Sequence, residues 1–135
     1  MSGAPGVRRI SSASPYEDVI GYSRAVVVPA GAARVLVSGC TATVDGQVRA
    51  PGDAHAQTLL ALDVAAAALA EAGTDLDHAV RTRMFVVGRE HCDAVGRAHG
   101  ERLGAARPAA SMLVVSGLVD ERMLVEVEVE ALLPS

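Results

Sequence analysis

The C-terminal segment constrains the fold more than any other part of the chain. Residues 107–133 read RPAASMLVVSGLVDERMLVEVEVEALL. Side chains alternate between the two faces of a strand, so Glu126, Glu128 and Glu130 are expected on one face and the intervening valines on the other. Three carboxylates on one face repel each other unless that face meets water or positive charge. The pattern therefore predicts a sheet with one dry face and one that contacts water, a ligand or another subunit.

The rest of the sequence predicts further strands and two helices. Strands are expected near 7–11, 24–28, 34–38 and 79–87, with a hairpin turn at Asp45-Gly46 and a loop over 12–21. One helix is predicted from an Asp53 cap to Ala72, ended by Gly73, and a second over about 90–103. This order indicates an α+β fold in which two helices pack on one face of a mixed sheet. Residues 7–135 are expected to form a single domain after a flexible tail of residues 1–6.

Composition excludes several functional classes. The chain has 135 residues, a formal net charge of −4 and only three aromatic residues, so nucleic acid is not an expected partner. No apolar run approaches the ~20 residues that span a bilayer, so no membrane is expected either. The first residues do not form a secretory signal, and Cys40 and Cys92 lack a redox or metal spacing. We therefore expect a cytoplasmic protein with no metal and no cofactor.

Several short motifs resemble those of the YjgF/RidA family of small proteins. They are Gly21 to Val26, Val37-Ser38-Gly39, Ala79 to Val86, Pro108-Ala-Ala-Ser111 and a closing Glu128-Val-Glu-Ala. The resemblance covers about Ile10 to Leu133, in the family's order and approximate spacing. It implies a homotrimer with a barrel-like centre, which binds a small-molecule ligand in clefts between neighbouring subunits.

One departure from the family pattern concerns the ligand. In the deaminases that the chain resembles, the third position of the Pro-Ala-X-Ser motif is an arginine that binds the substrate carboxylate. This chain has Ala110 there. A methyl group cannot form the bidentate ion pair that a guanidinium makes with a carboxylate. Classical hydrolysis of 2-imino acids is therefore not expected.

The resemblance also assigns roles to individual residues. Glu128 matches a glutamate that positions or activates the attacking water, and Tyr22 matches a tyrosine that lines the cleft. Gly39 matches a glycine whose backbone lies against the ligand, which the missing Cβ permits. Ser111 keeps its motif position as a hydrogen-bonding group. Each has a structural alternative: a solvated strand face for Glu128, an interface side chain for Tyr22, and a strand-end glycine for Gly39.

Another arginine could supply the missing charge. We rank Arg83 first and Arg24 second as ligand contacts, because both lie in matched motifs. The alternative for Arg83 is a structural ion pair with the glutamate face of the C-terminal strand. Cys40 and His99 are more typical of packing residues than of reactive groups.

Two functional hypotheses follow. The first is an enzyme of hydrolase or deaminase type, acting on an imine, enamine or carbonyl group, with Glu128 handling water or a proton. The second is a non-catalytic trimer that binds a small ligand or regulates a process. Ribonuclease activity, attributed to some family members, is disfavoured by the acidic charge and the scarcity of aromatic residues.

Overall fold

A computed structural model of the protein describes residues 5–134, so residues 1–4 of the predicted tail lie outside the described part. The strands are β1 (Arg8–Ile10), β2 (Ala25–Val27), β3 (Arg34–Cys40), β4 (Thr43–Val44), β5 (Gln47–Val48), β6 (Ala79–Val87), β7 (Ala109–Val115) and β8 (Val125–Leu132). The helices are α1 (Tyr16–Ile20), α2 (Ala54–Ala72) and α3 (Cys92–Leu103). The predicted α+β class is confirmed.

The main sheet has four strands in the order β3-β8-β6-β7. β8 pairs antiparallel with both β3 and β6, whereas β6 and β7 are parallel, so the sheet is mixed as predicted. A parallel pair needs a crossover connection, and α3 provides it between β6 and β7. β1 and β2 pair separately, as do β4 and β5 around the predicted turn at Asp45-Gly46.

One face of this sheet forms the core with α2 and α3. Val125, Val127 and Val129 are buried there, as their alternation in the sequence predicts. The caps predicted for α2 are also present. The Asp53 carboxylate accepts a hydrogen bond from the Ala56 N–H at 3.0 Å, and Gly73 adopts a left-handed φ of 98° at the C-terminal end.

The opposite face is not covered by the helices, and it carries rows of cross-strand neighbours. In the central row, Arg83 of β6 lies between Glu128 of β8 and Ser111 of β7. Apolar side chains flank the charges, and Leu36 and Leu113 are 67% and 44% exposed. We call this surface the open face. It combines the predicted carboxylates with arginines and exposed leucines.

The predicted loop over 12–21 is wrong, because the short helix α1 forms within it. The Glu17 carboxylate accepts hydrogen bonds from the Ser11 hydroxyl at 2.8 Å and the Ser12 N–H at 2.7 Å, which folds the preceding segment onto the helix. These hydrogen bonds, led by those from Ser12, lower the pKa of Glu17 to about 2. Gly21 ends the helix with a φ of 76°, which few other residues adopt without strain.

Glycines of α3 allow α1 to approach it at backbone contact. A Cβ at Gly100 would overlap the Val19 carbonyl oxygen, and a Cβ at Gly21 would lie 2.8 Å from the Gly104 Cα atom. Gly96 faces Ile20 on the same side of α3. Three glycines spaced four residues apart therefore form the surface on which α1 lies.

His99, on the same helix, joins three elements inside the protein. It is completely buried, with Nδ1 2.5 Å from the Ile20 carbonyl oxygen and Nε2 2.8 Å from the Thr82 hydroxyl. In the neutral ring, Nδ1–H donates to Ile20 and Nε2 accepts from Thr82. Burial lowers the pKa of His99, so the folded state favours this neutral form.

No helix among residues 5–134 is both long enough and apolar enough to cross a membrane.

We predict that Gly100→Ala destabilises the protein by about 1–3 kcal/mol, because the new methyl displaces the α1 backbone. The direction of the change identifies its cause, because the same substitution in an unobstructed helix would raise the free energy of unfolding by about 1 kcal/mol. Urea denaturation monitored by circular dichroism measures the change. Gly117→Ala is the matched control, because no heavy atom lies within 4 Å of its added Cβ. A stabilised Gly100→Ala variant would contradict the close packing of α1.

We also predict that His99 makes stability fall as the pH drops below about 6.5. Below that value the unfolded chain binds a proton at this histidine, whereas the lowered pKa keeps the folded protein neutral. His99→Gln should therefore lose less unfolding free energy between pH 7.5 and 5.5 than the wild type. Denaturation at fixed protein concentration tests this, with the partly exposed His91→Gln as control. If the free energies of unfolding of the wild type and His99→Gln depend on pH in the same way, His99 is not the cause of the loss of stability.

Candidate functional site

A small pocket of about 230 Å³ lies at the outer edge of β7, beside α1. Its lining combines apolar and polar side chains: Tyr16, Ile20, Tyr22, Arg24, Met84, Ala110, Ser111 and Met112. We call it the edge pocket. Two larger hollows, one along the β7–β8 loop and one beside Pro29, contain none of the residues predicted to form a site. The edge pocket brings together three of those residues and the alanine that replaces the family arginine.

The backbone of residues 21–24 holds Tyr22 and Arg24 at this pocket. The N–H groups of Gly21 and Tyr22 both donate to the Glu17 carbonyl oxygen, at 2.8 and 3.1 Å. Ser23 then attaches the segment to the start of β7, since its N–H donates to the Pro108 carbonyl at 3.0 Å. Tyr22 and Arg24 therefore stand on either side of a buried, hydrogen-bonded serine.

Tyr22 and Arg24 form the polar rim of the pocket. The Arg24 guanidinium lies over the Tyr22 ring, 5.6 Å from its centroid, and donates a long hydrogen bond of 3.4 Å to the Tyr22 hydroxyl. The same hydroxyl is 3.4 Å from the Ser14 hydroxyl. Arg24 is exposed and has no carboxylate within ion-pair distance among the described residues. The rim thus presents a cation held only by weak contacts.

Ser111 belongs to both the pocket and the open face. Its hydroxyl oxygen accepts a hydrogen bond from Nη2 of Arg81 at 3.1 Å. A hydroxyl also carries one proton, and a hydrogen bond accepted from a cation strengthens its ability to donate. Ser111 can therefore donate to an oxygen or nitrogen atom of a ligand. The Nε atom of Arg81 is buried without a hydrogen-bond partner among the described residues.

Glu128 and Arg83 lie on the open face and do not line the edge pocket. The Arg83 Nη1 atom is 3.6 Å from the Glu128 carboxylate and 3.3 Å from the Glu130 carboxylate. Arg34 also pairs with Glu130, at 3.0 Å. The structure thus shows, for Arg83, the ion pairing that was the alternative to ligand binding. The Glu128 side chain is 38% exposed, so its carboxylate can be reached from outside the protomer.

Gly39 lies at the opposite edge of the sheet from the pocket. It sits in an irregularity of the β3–β8 pairing between Val37 and Cys40. A Cβ at this position would overlap the Glu126 carboxylate, so the absence of a side chain has a reason within the protomer. Burial and the nearby Glu126 charge raise the pKa of the Cys40 thiol, which disfavours the reactive thiolate.

Sequence reasoning interpreted His99 as a packing residue, which its burial confirms, but missed Glu17 and the role of both residues in holding α1. Glu17 and His99 do not touch the pocket interior, yet they hold the two ends of α1 through the hydrogen bonds described above. The sequence pattern that could have predicted this packing is the spacing of Gly96, Gly100 and Gly104, which places three glycines on one side of the predicted helix and its end.

Comparisons with known proteins agree with the motifs. Residues 11–133 match the family model described as Endoribonuclease L-PSP. An uncharacterized protein of Streptomyces coelicolor is 43% identical over 125 residues, which cover 93% of this chain and 91% of that protein.

Solved structures show the same relationship. A member of the YjgF/YER057c/UK114 family from Mycobacterium tuberculosis is 36% identical, with a TM-score of 0.66, over 95% of this chain and 100% of that one. A Rid-family protein of unknown function from Yersinia pestis is 27% identical, with a TM-score of 0.82, over 94% of this chain and 98% of that one. Motifs, fold and comparisons together show that this chain belongs to the YjgF/Rid family.

Proposed function

We propose that this protein binds a small metabolite carrying a carbonyl, imine or enamine group in the edge pocket. The observation that carries the proposal is the position of Tyr22 and Ser111 in one pocket beside Ala110. Family resemblance implies the ligand cleft at these positions. The Ser111 hydroxyl is available to donate a hydrogen bond to the oxygen or nitrogen of such a group.

The proposed functional unit is a homotrimer in a reducing, cytoplasmic compartment. Leu36 and Leu113 are exposed on the open face, where a second copy could bury them. A neighbour that packs on this face would also exclude water from the charged rows, and its own strands would extend the wall of the edge pocket. Both cysteines are free thiols, which fits a reducing environment.

The proposed chemistry is addition of water to a C=N bond. Glu128 of a neighbouring subunit would accept a proton from water as the water oxygen bonds to the imine carbon. Protonation of the nitrogen and loss of ammonia then leave a carbonyl product. Ser111 would hold the reacting nitrogen or oxygen during these steps. Ala110 supplies no cation, so a simple 2-imino acid is not the proposed substrate in its classical binding mode.

Ligand binding without turnover is the second candidate. The contact between Arg83 and Glu128, at 3.6 Å, favours it, because the carboxylate must leave this contact before it can bind a water molecule. The loss of the motif arginine at Ala110 favours it as well.

The family description names an endoribonuclease, but RNA is not the substrate we propose. The chain carries a net charge of −4, and three carboxylates lie on the open face. This charge distribution opposes binding of a phosphate backbone.

We predict that the wild type hydrolyses 2-iminobutyrate poorly and that Ala110→Arg increases the rate by about tenfold or more, because the variant regains a carboxylate anchor. The imine is generated in the assay by an amino acid oxidase, and ammonia release is followed against its spontaneous decay. Ala110→Leu is the control for added volume without charge. If Ala110→Arg folds correctly but does not hydrolyse the imine faster than the wild type, the proposed location of the cleft is wrong.

We predict that Glu128→Gln lowers any C=N hydrolysis by about 10²–10⁴-fold while ligand binding, read from thermal stabilisation, persists. Glu121→Gln removes an exposed loop carboxylate and should leave the rate unchanged. If a ligand raises the Tm of the wild type but carbonyl-derived imines are not hydrolysed, the non-catalytic function is the correct one. A monomer in analytical ultracentrifugation would refute the shared cleft.

A further inference from the structure

The interior of the edge pocket is apolar, in contrast to its rim. Ile20, Met84, Ala110 and Met112 form the inner wall, and Met84 is continuous with the buried core. A carboxylate placed against this wall would lose its hydration without gaining a cation. An aliphatic group placed there would instead exchange water for apolar contacts, which methionine side chains accommodate well.

Arg24 is the charged side chain that lines the pocket. The other arginines near the site are engaged elsewhere: Arg83 pairs with two glutamates, and Arg107 pairs with Asp18 at 3.0 Å. Arg81 donates to Ser111 and does not line the pocket. Among residues 5–134, the Arg24 side chain makes only the stacking contact and one long hydrogen bond to Tyr22, so most of its five N–H donors are available.

The nearby carboxylates do not neutralise Arg24. Glu17 directs its carboxylate to Ser11 and Ser12, and Asp18 directs its own to Arg107. The pocket rim therefore carries an uncompensated positive charge above an apolar interior. This is the reverse of the polarity that an arginine at position 110 would create.

On the basis of the proposed function, we infer that the edge pocket binds a small amphipathic carboxylate in an inverted orientation. The anionic group lies at the rim on Arg24, and the aliphatic chain extends inward onto Ala110, Met84 and Met112. Ser111 hydrogen-bonds a carbonyl or imine group between the two ends. Arg24 thus determines specificity in place of the missing arginine.

Calorimetric titration of the full chain with straight-chain 2-oxo acids of three to six carbons tests the orientation. Each added methylene enters the apolar interior, so affinity should rise about fourfold per carbon. Arg24→Gln should weaken every acid by about tenfold or more, without changing that chain-length dependence. Arg89→Gln is the matched control, because Arg89 is exposed and its side chain forms no hydrogen bond or ion pair among residues 5–134.

Methyl ketones of equal chain length separate the inference from the proposed function. They lack the anion, so wild type and Arg24→Gln should bind them equally. If acids bind but Arg24→Gln has no effect, or if affinity is independent of chain length, the inverted orientation is overturned while ligand binding in the pocket stands. If neither acids nor ketones bind the correctly folded wild type, the proposed function itself fails. Arg24→Lys, which keeps the charge, provides a second folded variant and should retain part of the affinity.

Discussion

The contact between α1 and α3 determines whether this protein has a site at all. The edge pocket exists because a five-residue helix, too short to be stable alone, is held against α3. Gly100 lets the two backbones touch, and the His99 ring fixes the last carbonyl of α1. Tyr22 follows directly after that helix, so its position depends on this contact. The site thus rests on backbone packing and one buried histidine, both outside the pocket.

The charges of the open face explain why one arginine is left for a ligand. Arg83 lies within ion-pair distance of Glu128 and Glu130, and Arg34 within ion-pair distance of Glu130. These contacts limit the repulsion that three carboxylates on one face would otherwise cause. Arginines used in this way cannot also bind a substrate anion without releasing a carboxylate. Arg24 lies beyond the reach of these glutamates and faces the pocket. Sheet stability and ligand recognition therefore use different cations.

Much of the fold could be predicted from local patterns, and the pocket wall could not. The alternation along β8, the Asp53 cap and the Gly73 terminus are properties of a single element, so sequence reasoning found them. α1 has no apolar periodicity, and its formation depends on serine hydroxyls before it and a glycine surface about 80 residues later. For the same reason the local cause of a glycine at position 39, the adjacent Glu126 carboxylate, needed the three-dimensional structure.

Ligand binding and the proposed chemistry place different demands on the assembly. Within one protomer Arg83 separates Glu128 from Ser111, and two strand spacings amount to about 10 Å. The Arg83 side chain therefore lies between the Glu128 carboxylate and a group held by Ser111 of the same protomer. Arg24, Ser111 and the apolar wall proposed to hold the ligand lie together in one protomer, and a neighbouring copy would add to that wall. The proposed hydrolysis makes a stricter demand on the assembly, because the neighbour must also bring its Glu128 to the rim.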